Sequence, residues 1–267
     1  MTGLPRSVGT IGAGNMAEAI LRGLLKAGMS PSALCASDPD AGRRLRMSEL
    51  GVRSSADNLD VVRSSELVVL AVKPQQLEAA SATLPRESGP LYLSIVAGAT
   101  SASLRKQLGA RARVVRSMPN TPALIGAGVT AVANDTGVDA ADLAQACAVL
   151  RAVGSVVQVP EAALDAVTGL SGSGPAYVFA FVEALTEAGV REGLPLEIAR
   201  ALALETVHGA ARLALESGED PAVLRARVTS PGGTTVAGLA ALAEGHFREA
   251  VLAAVRAATK RSKELGS

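Results

Sequence analysis

The feature that most constrains the fold is a glycine-rich segment close to the start of the chain. An apolar run over residues 7–12 leads directly into Gly12-Ala13-Gly14-Asn15-Met16-Ala17, and an amphipathic segment over 16–27 follows. This GxGxxA pattern between a strand and a helix is typical of dinucleotide binding. The glycines permit a tight turn and a close approach of pyrophosphate to the backbone, and the small alanine lets helix and strand pack. The segment therefore predicts a dinucleotide site, with an ordinary glycine turn as the alternative.

The rest of the first 160 residues alternates short apolar runs with helical patterns. We predict strands over 7–12, 33–37, 66–72, 91–96, 113–117, 129–133 and 155–159. We predict helices between several of them, over 16–27, 41–50 and 143–152. Near-continuous apolar strands separated by helices indicate an α/β, Rossmann-type, mostly parallel sheet that is covered on both faces.

The second part of the chain has helical periodicity and no convincing strand. Pro175, Pro195 and Pro221 each stand where a helix could begin, since proline is tolerated in a first turn. We therefore predict a dinucleotide-binding domain over 1–160 and an all-helical domain over 161–267. The wide apolar surface of so short a helical unit favours burial against a second subunit.

Composition excludes several classes of function. Lys and Arg number 26 against 25 Asp and Glu, and only 2% of residues are aromatic, so we expect no nucleic-acid surface. The two histidines and two cysteines are too few and too scattered for a zinc site or a disulfide framework, and we expect no metal. No secretion signal or membrane-spanning run is visible, so we expect a cytoplasmic protein.

The end of the predicted second strand bears on which dinucleotide binds. Asp38 stands where an acid would bond the ribose 2′-hydroxyl of NADH, whereas Arg43 and Arg44 could hold the 2′-phosphate of NADPH. The alternative is that Asp38 caps the next helix and both arginines are solvated. This segment leaves the choice between NADPH and NADH open.

Two more strand ends are placed to line the cofactor, because ligands of a doubly wound sheet lie beyond the carboxyl ends of its strands. They are the turn Ala71-Val72-Lys73-Pro74 and the small-residue segment Ala97-Gly98-Ala99-Thr100. The Lys73 side chain could act in catalysis, but we expect the backbone of this turn to matter and the side chain to be solvated.

Five segments make the sequence resemble the pyrroline-5-carboxylate reductase family over nearly the whole chain. They are GTIGAGNMA at 9–17, AVKP at 71–74, RSMPNTP at 116–122, GLSGSGPAY at 169–177 and SPGGTT at 230–235. The resemblance implies a Rossmann-type domain, a helical dimerisation and substrate-binding domain over 161–267, and often a ring of dimers. It also implies reduction of 1-pyrroline-5-carboxylate to L-proline with NADPH or NADH, the final step of proline biosynthesis.

The resemblance and the strand-end geometry together give the candidate site residues. Those for the cofactor are Ile11, Gly12, Ala13, Gly14, Asn15, Met16, Asp38, Asn58, Ala71, Val72, Lys73, Pro74, Ala97 and Gly98. Those for the substrate are Glu161, Ser230, Gly233, Thr234 and Thr235. Two positions depart from the family pattern: Asp38 replaces a hydroxyl residue of some relatives, and Arg227 replaces an Asn near the substrate, so no contact is carried over to Arg227.

The implied chemistry suits a chain that is poor in His and Cys. The glycines of SPGGTT free the backbone at a helix start, where N–H groups and hydroxyls can bind a carboxylate; a glycine turn with a threonine cap is the alternative. Hydride transfer is the cofactor's chemistry and a protonated imine is already electrophilic, so no dedicated His or Lys acid is required. Thr235 is the candidate catalytic residue, as hydrogen-bond partner of the imine nitrogen and proton relay.

Two rival functions share this organisation. A β-hydroxyacid dehydrogenase would use a lysine on a helix after the glycine-rich interdomain segment, but no Lys occurs between Lys106 and Lys260. A non-catalytic nucleotide sensor with a helical dimerisation domain has the same fold class. The intact MPNTP and SPGGTT segments argue against a sensor, which needs no carboxylate-binding pocket.

Overall fold

The computed structural model describes residues 3–86 and 89–266 of the chain. The chain divides into two compact units: residues up to Ser173 together with those from Arg256 onward, and the segment Gly174–Val255. We call the first the sheet unit and the second the helical unit. The predicted division into a dinucleotide-binding domain over 1–160 and an all-helical domain over 161–267 stays a prediction.

The described part of the sheet unit forms one eight-stranded sheet of order β3-β2-β1-β4-β5-β6-β7-β8, in which only β6 and β7 pair antiparallel. The strands are β1 (Val8–Ile11), β2 (Leu34–Ser37), β3 (Arg53–Ser55), β4 (Leu67–Leu70), β5 (Leu91–Ser94), β6 (Val114–Met118), β7 (Gly128–Ala133) and β8 (Gly154–Val159). The last residue of β1, Ile11, aligns with Ser37 of β2 and Leu70 of β4. This order confirms the predicted Rossmann-type fold, and the register brings three strand ends together beside the glycine-rich turn.

The helices of the sheet unit are α1 (Asn15–Lys26), α2 (Ala41–Glu49), α3 (Asn58–Ser64), α4 (Leu77–Ser81), α5 (Ser101–Leu108), α6 (Ala140–Arg151) and α7 (Leu164–Val167). Of these, α1 to α6 connect the strands, as the alternating sequence pattern predicts, and α7 follows the last strand. Asp40, Asp57, Thr100 and Asp139 precede four of these helices and accept a hydrogen bond from an N–H of the first turn. Such side chains fix where each helix begins, because they satisfy N–H groups that have no partner inside the helix.

The core of the sheet unit lies on both faces of the sheet. Along β4, Val68 and Leu70 pack into one buried cluster and Val69 packs into the other. On β5, Leu91 and Leu93 face the cluster of Val69. A strand that is buried on both faces has a continuous apolar sequence rather than an alternating one, which is why these strands were predictable.

The prediction missed one strand. β3 has the sequence Arg53-Ser54-Ser55, and it pairs in parallel with β2 at the edge of the sheet. Arg53 is exposed and both serines are half-buried, so the segment has no apolar run. A short polar edge strand therefore leaves no periodic signal in the sequence.

The helical unit consists of α8 (Gly174–Arg191), α9 (Leu196–Ser217), α10 (Pro221–Arg227), α11 (Thr234–Glu244) and α12 (Phe247–Gly266), whose last residues belong to the sheet unit. Pro195 directly precedes α9, and Pro221 is the first residue of α10, as predicted. Large apolar side chains of the unit are exposed in the single chain, among them Phe179, Leu202 and Leu215. Exposure of so many large apolar side chains favours their burial against a partner.

None of the helices in the described residues is long and apolar enough to cross a membrane.

Candidate functional site

The glycine-rich turn after β1 is sterically specified at Gly12. Its φ is +93°, and a Cβ added there would lie 2.6 Å from the carbonyl oxygen of Ala71. Its N–H donates to the carbonyl of Ser37 over 2.8 Å. A residue with a side chain would be strained in this conformation and would clash with β4's end, so Gly12 is required for the turn.

Gly14, two residues later, has open space around it where Gly12 has close contacts. A Cβ added there would meet no protein atom within 4 Å, so the space above its backbone is open. Gly14 directly precedes α1, and no side chain caps the N–H groups of the first turn. These free N–H groups and the helix dipole favour an anion at this point.

A cavity of about 720 Å³ opens over this turn, within the size range of cofactor sites. It brings together nine of the predicted cofactor residues: Ile11, Gly12, Gly14, Asn15, Asp38, Asn58, Ala71, Val72 and Lys73. Five others do not line it: Ala13, Met16, Pro74, Ala97 and Gly98. Arg43, which the sequence offers for a 2′-phosphate, also lines the cavity. The other lining residues were not predicted as contacts: Ser37, Pro39, Asp40, Arg46, Ala56, Gln76, Ala79 and Ala80.

Asp38, at the end of β2, is buried and held on two sides by backbone groups. Its Oδ2 accepts from the N–H of Ala13 over 2.9 Å, and its Oδ1 accepts from the N–H of Asp40 over 2.9 Å. Burial raises the pKa of the Asp38 carboxyl, but these N–H groups and the Arg43 guanidinium lower the pKa by more. Asp38 is therefore a fixed carboxylate at neutral pH, directly beside the glycine-rich turn.

The alternative interpretation, in which Asp38 caps the next helix, is wrong. Asp40 is the N-cap of α2, and its Oδ1 accepts from the N–H of Arg43 over 2.8 Å. The sequence Asp-Pro-Asp offers two acids two residues apart, and the cap is the one directly before the helix. The sequence alone does not separate them, because an N-cap residue is extended and proline is favoured directly after it.

Asn58 is the first residue of α3, and its side chain ties three segments around the cavity. Its Oδ1 accepts from the Ser37 hydroxyl over 2.7 Å, and its Nδ2 donates to the carbonyl of Ala80 over 2.9 Å. Asn58 therefore holds the end of β2 and the end of α4 in place. Its predicted contact with the cofactor would use the remaining amide hydrogen.

The segment with Ala97 and Gly98 follows β5. Gly98 has a φ of +77°, and a Cβ added there would lie 3.0 Å from the backbone nitrogen of Gly266. The end of α12 therefore packs directly on this segment. Ser262 of the same helix donates to Asp165 Oδ1 over 2.7 Å, and Ser262 is buried.

Glu161, a predicted substrate residue, is engaged inside the sheet unit. Its Oε1 accepts from the N–H of Ser101 over 2.7 Å and from the guanidinium of Arg116 over 3.0 Å. Its own N–H donates to Asp135 Oδ1 over 2.7 Å. Arg116 is buried within β6, so Glu161 neutralises a buried charge, and it also satisfies the N–H of Ser101 in the first turn of α5.

The predicted substrate loop lies in the helical unit, before α11. Gly232 has a φ of +69°, and Gly233 is the N-cap residue of α11 and donates its N–H to the carbonyl of Ser230 over 3.0 Å. No side chain caps α11, so Thr234 and Thr235 begin the helix with free N–H groups. The alternative interpretation, a turn with a threonine as helix cap, is wrong, because Gly233 occupies the cap position.

The described residues contain no group of three His, Cys, Asp or Glu side chains that could hold a metal ion. Both cysteines, Cys35 and Cys147, are free and buried.

Comparison with known proteins covers both parts of the chain. Residues 161–265 match the family described as "Pyrroline-5-carboxylate reductase dimerisation", and residues 7–98 match "NADP oxidoreductase coenzyme F420-dependent". The first match supports self-association of this chain, as its exposed apolar helices do.

Relatives extend this likeness over the whole length. Pyrroline-5-carboxylate reductase of Synechocystis sp. is 48% identical over 97% of this chain and 98% of the relative. The solved structure of a pyrroline-5-carboxylate reductase from Coxiella burnetii is 39% identical, has a TM-score of 0.92 and covers 98% of this chain and 99% of its own. The Plasmodium falciparum pyrroline carboxylate reductase with NADP bound is 30% identical, with a TM-score of 0.89, over 99% of this chain and all of its own. The chain belongs to the pyrroline-5-carboxylate reductase family.

Proposed function

We propose that this chain reduces 1-pyrroline-5-carboxylate to L-proline with NADPH or NADH, the final step of proline biosynthesis. The observation that carries the proposal is the likeness of the chain, from end to end, to reductases of that name. The cavity over the glycine-rich turn supports it, because its size and its position at the carboxyl ends of β1, β2 and β4 suit a dinucleotide.

The residues around the cavity fit a nicotinamide dinucleotide. The open space above Gly14 and the free N–H groups of α1 suit its pyrophosphate. Asp38 suits a ribose hydroxyl, since a carboxylate accepts hydrogen bonds. We propose that the segments 71–74 and 97–98 line the remaining part of the cofactor. When bound, the cofactor supplies the hydride.

The substrate is a small cyclic imine with one carboxylate, so the chain has to bind an anion and orient a ring. The free N–H groups of Thr234 and Thr235 at the start of α11, with the Ser230 hydroxyl nearby in sequence, are proposed to bind the carboxylate. Glu161 is proposed as a further substrate contact through its second carboxylate oxygen, Oε2.

Reduction adds a hydride to the imine carbon and a proton to the ring nitrogen. The protonated imine is already electrophilic, so the chain's task is to hold that N–H in place. Thr235 is proposed to accept a hydrogen bond from the ring nitrogen and to relay the proton, because a threonine hydroxyl can both donate and accept.

The test is a turnover assay of the purified protein with 1-pyrroline-5-carboxylate and either NADH or NADPH. We expect oxidation of the cofactor only when the imine is present, with L-proline as the product. Thr235→Ala is expected to lower kcat/KM by about a hundredfold, and Thr235→Ser to restore most of it. A folded protein that turns over with neither cofactor would contradict the proposal.

We also propose that residues 1–160 bind the cofactor and that 161–267 provide dimerisation and the substrate site. The finer assembly, a ring of dimers, and a cytoplasmic location are proposals as well. Native mass spectrometry tests the ring, since a species of two subunits alone would contradict it. Two free cysteines in the described residues agree with a reducing compartment.

A further inference from the structure

Two carboxylates at the end of β2 are fixed by backbone N–H groups. Asp38 accepts from Ala13 and Asp40, each over 2.9 Å, and Asp40 accepts from the N–H of Arg43 over 2.8 Å. Only 4% of the Asp38 side chain is exposed. Because its donors belong to the backbone of two turns, this carboxylate cannot rotate away when a ligand enters the cavity.

Three arginines of α2 lie close to these acids, but they are not equivalent. The guanidinium of Arg44 donates to the carbonyls of Asp38 and Pro39, each over 2.8 Å, and Arg44 does not line the cavity. Arg46 lines the cavity and lies 3.8 Å from Glu18. Arg44 is therefore committed to the backbone, which removes one of the two arginines that the sequence offered for a phosphate.

Arg43 both lines the cavity and contacts Asp38. Its guanidinium nitrogen lies 3.3 Å from Asp38 Oδ2, and 43% of its side chain is exposed. A long hydrogen bond from a half-exposed arginine is easily exchanged for another anion. Arg43 is therefore the more weakly held member of the pair.

The Asp38–Arg43 pair would interact differently with NADH and with NADPH. A ribose with a free 2′-hydroxyl can donate to the remaining lone pair of Asp38 Oδ1 and leaves the Arg43 contact intact. A 2′-phosphate brings a charge of about −2, which the fixed carboxylate repels, and it has to take Arg43 away from Asp38.

We propose that the Asp38–Arg43 pair sets the cofactor preference of this chain, with NADH favoured and with Arg43 as the residue that admits NADPH. The inference rests on the proposed function insofar as it takes a nicotinamide dinucleotide as the ligand of this cavity. One ion pair, rather than the basic character of α2 as a whole, then decides between NADH and NADPH.

The experiment measures the equilibrium binding of NADH and of NADPH by nicotinamide fluorescence, without substrate. The native protein is expected to bind NADH more tightly. Arg43→Gln is expected to raise the Kd for NADPH by about tenfold or more and the Kd for NADH by less than about threefold. The salt dependence of NADPH binding should also weaken in this variant, because one charged contact is gone.

Arg46→Gln is the matched control, since Arg46 is on the same helix and lines the same cavity. It is expected to leave the ratio of the two Kd values within about twofold, because the acid beside Arg46 is Glu18 of α1 rather than Asp38, so this substitution leaves the Asp38–Arg43 pair in place. Asp38→Asn is expected to change the ratio of the two Kd values by about tenfold in favour of NADPH, even where it changes the affinity for both cofactors. Circular dichroism checks that each variant is folded.

The outcomes separate this inference from the proposed function. Tighter NADPH binding by the native protein, equal losses of both cofactors in Arg43→Gln, or an equal shift of the ratio in Arg46→Gln would each overturn the Asp38–Arg43 proposal. If the folded native protein bound neither cofactor, the proposed function itself would fail.

Discussion

Gly12 and Gly14 belong to the same turn but have opposite steric surroundings. A Cβ on Gly12 would lie 2.6 Å from the carbonyl oxygen of Ala71, whereas a Cβ on Gly14 would meet no protein atom within 4 Å. Gly12 also has a φ of +93°, which residues with side chains rarely adopt. The fold therefore requires Gly12, and we expect Gly14 to be required by the ligand.

Alanine substitutions at these two glycines should separate the two requirements. We expect Gly12→Ala to lower the free energy of unfolding by about 2–4 kcal/mol, from backbone strain and the clash with Ala71. We expect Gly14→Ala to change it by less than about 1 kcal/mol while weakening NADH binding by at least about tenfold, because the new methyl group occupies the ligand's space. Urea unfolding and fluorescence binding measure both. A stable Gly12→Ala protein, or a Gly14→Ala protein with native affinity, would contradict this assignment.

Glu161 offers a second test, because its carboxylate already has two partners. Glu161→Ala leaves Arg116 buried without its acid, and we expect a loss of about 2–3 kcal/mol, since a quarter of the Glu161 side chain is exposed. Glu161→Gln keeps an acceptor oxygen and should retain most of the stability. Steady-state kinetics then test the predicted substrate contact: a raised KM for the imine in Glu161→Gln supports it, and an unchanged KM counts against it.

The role of a residue could be predicted from the sequence where it follows from the residue type, and could not be predicted where it follows from tertiary contacts. The glycine pattern identified the turn, because only glycine allows its conformation. Asp38 was recognised as an acid at a strand end, but its hydrogen bonds with Ala13 and Asp40 arise from tertiary contacts. Tertiary contacts also decide that Arg43 contacts Asp38 while Arg44 donates to backbone carbonyls. No sequence pattern distinguishes two adjacent arginines.

At the scale of elements, the buried strands and the helices with a clear apolar stripe were predictable, and β3 was not. β4 and β5 are apolar throughout because both faces of the sheet are covered. The three residues of β3 are polar and stand at the edge, so only their pairing with β2 makes them a strand. Proline marked the starts of α9 and α10 because its fixed φ suits a first turn.

The turn between α11 and α12 contains a strained residue. His246 has a φ of +54°, the one described residue other than glycine with a positive φ. We expect His246→Gly to raise the free energy of unfolding by about 0.5–1 kcal/mol, since relief of the left-handed strain exceeds the entropy cost of glycine. His246→Ala is the control and should bring no gain, because it keeps the Cβ. Thermal or urea unfolding measures both, and destabilisation by glycine would show that the His246 side chain makes a contact worth more than the strain.

At the scale of the whole molecule, the helical unit exposes apolar side chains that a single chain leaves in water. The side chain of Phe179 on α8 is among them, with 62% of the residue exposed, and Leu45 on α2 of the sheet unit is equally exposed at 61%. Phe179 falls within residues 161–265, which match the dimerisation family, and Leu45 falls outside them. Phe179 and Leu45 are equally exposed but lie in different units, so the same substitution at both residues compares the two surfaces directly.

Charge at these two positions should have different effects on assembly. We expect Phe179→Glu to raise the Kd of self-association by about a hundredfold or more, because a carboxylate would be buried without a partner. Leu45→Glu should leave the assembly unchanged. Size-exclusion chromatography with light scattering measures the mass of each. If both variants kept the native mass, Phe179 would lie outside the interface. If both dissociated, the interface would not be confined to the helical unit.

We propose that this chain transfers a hydride from a nicotinamide dinucleotide to the imine carbon of 1-pyrroline-5-carboxylate. The most direct measurement supplies the reduced cofactor with deuterium at both C4 positions and determines the mass of the proline formed. We expect proline with one deuterium, located at C5, the former imine carbon. Unlabelled proline, or oxidised cofactor without proline, would contradict it.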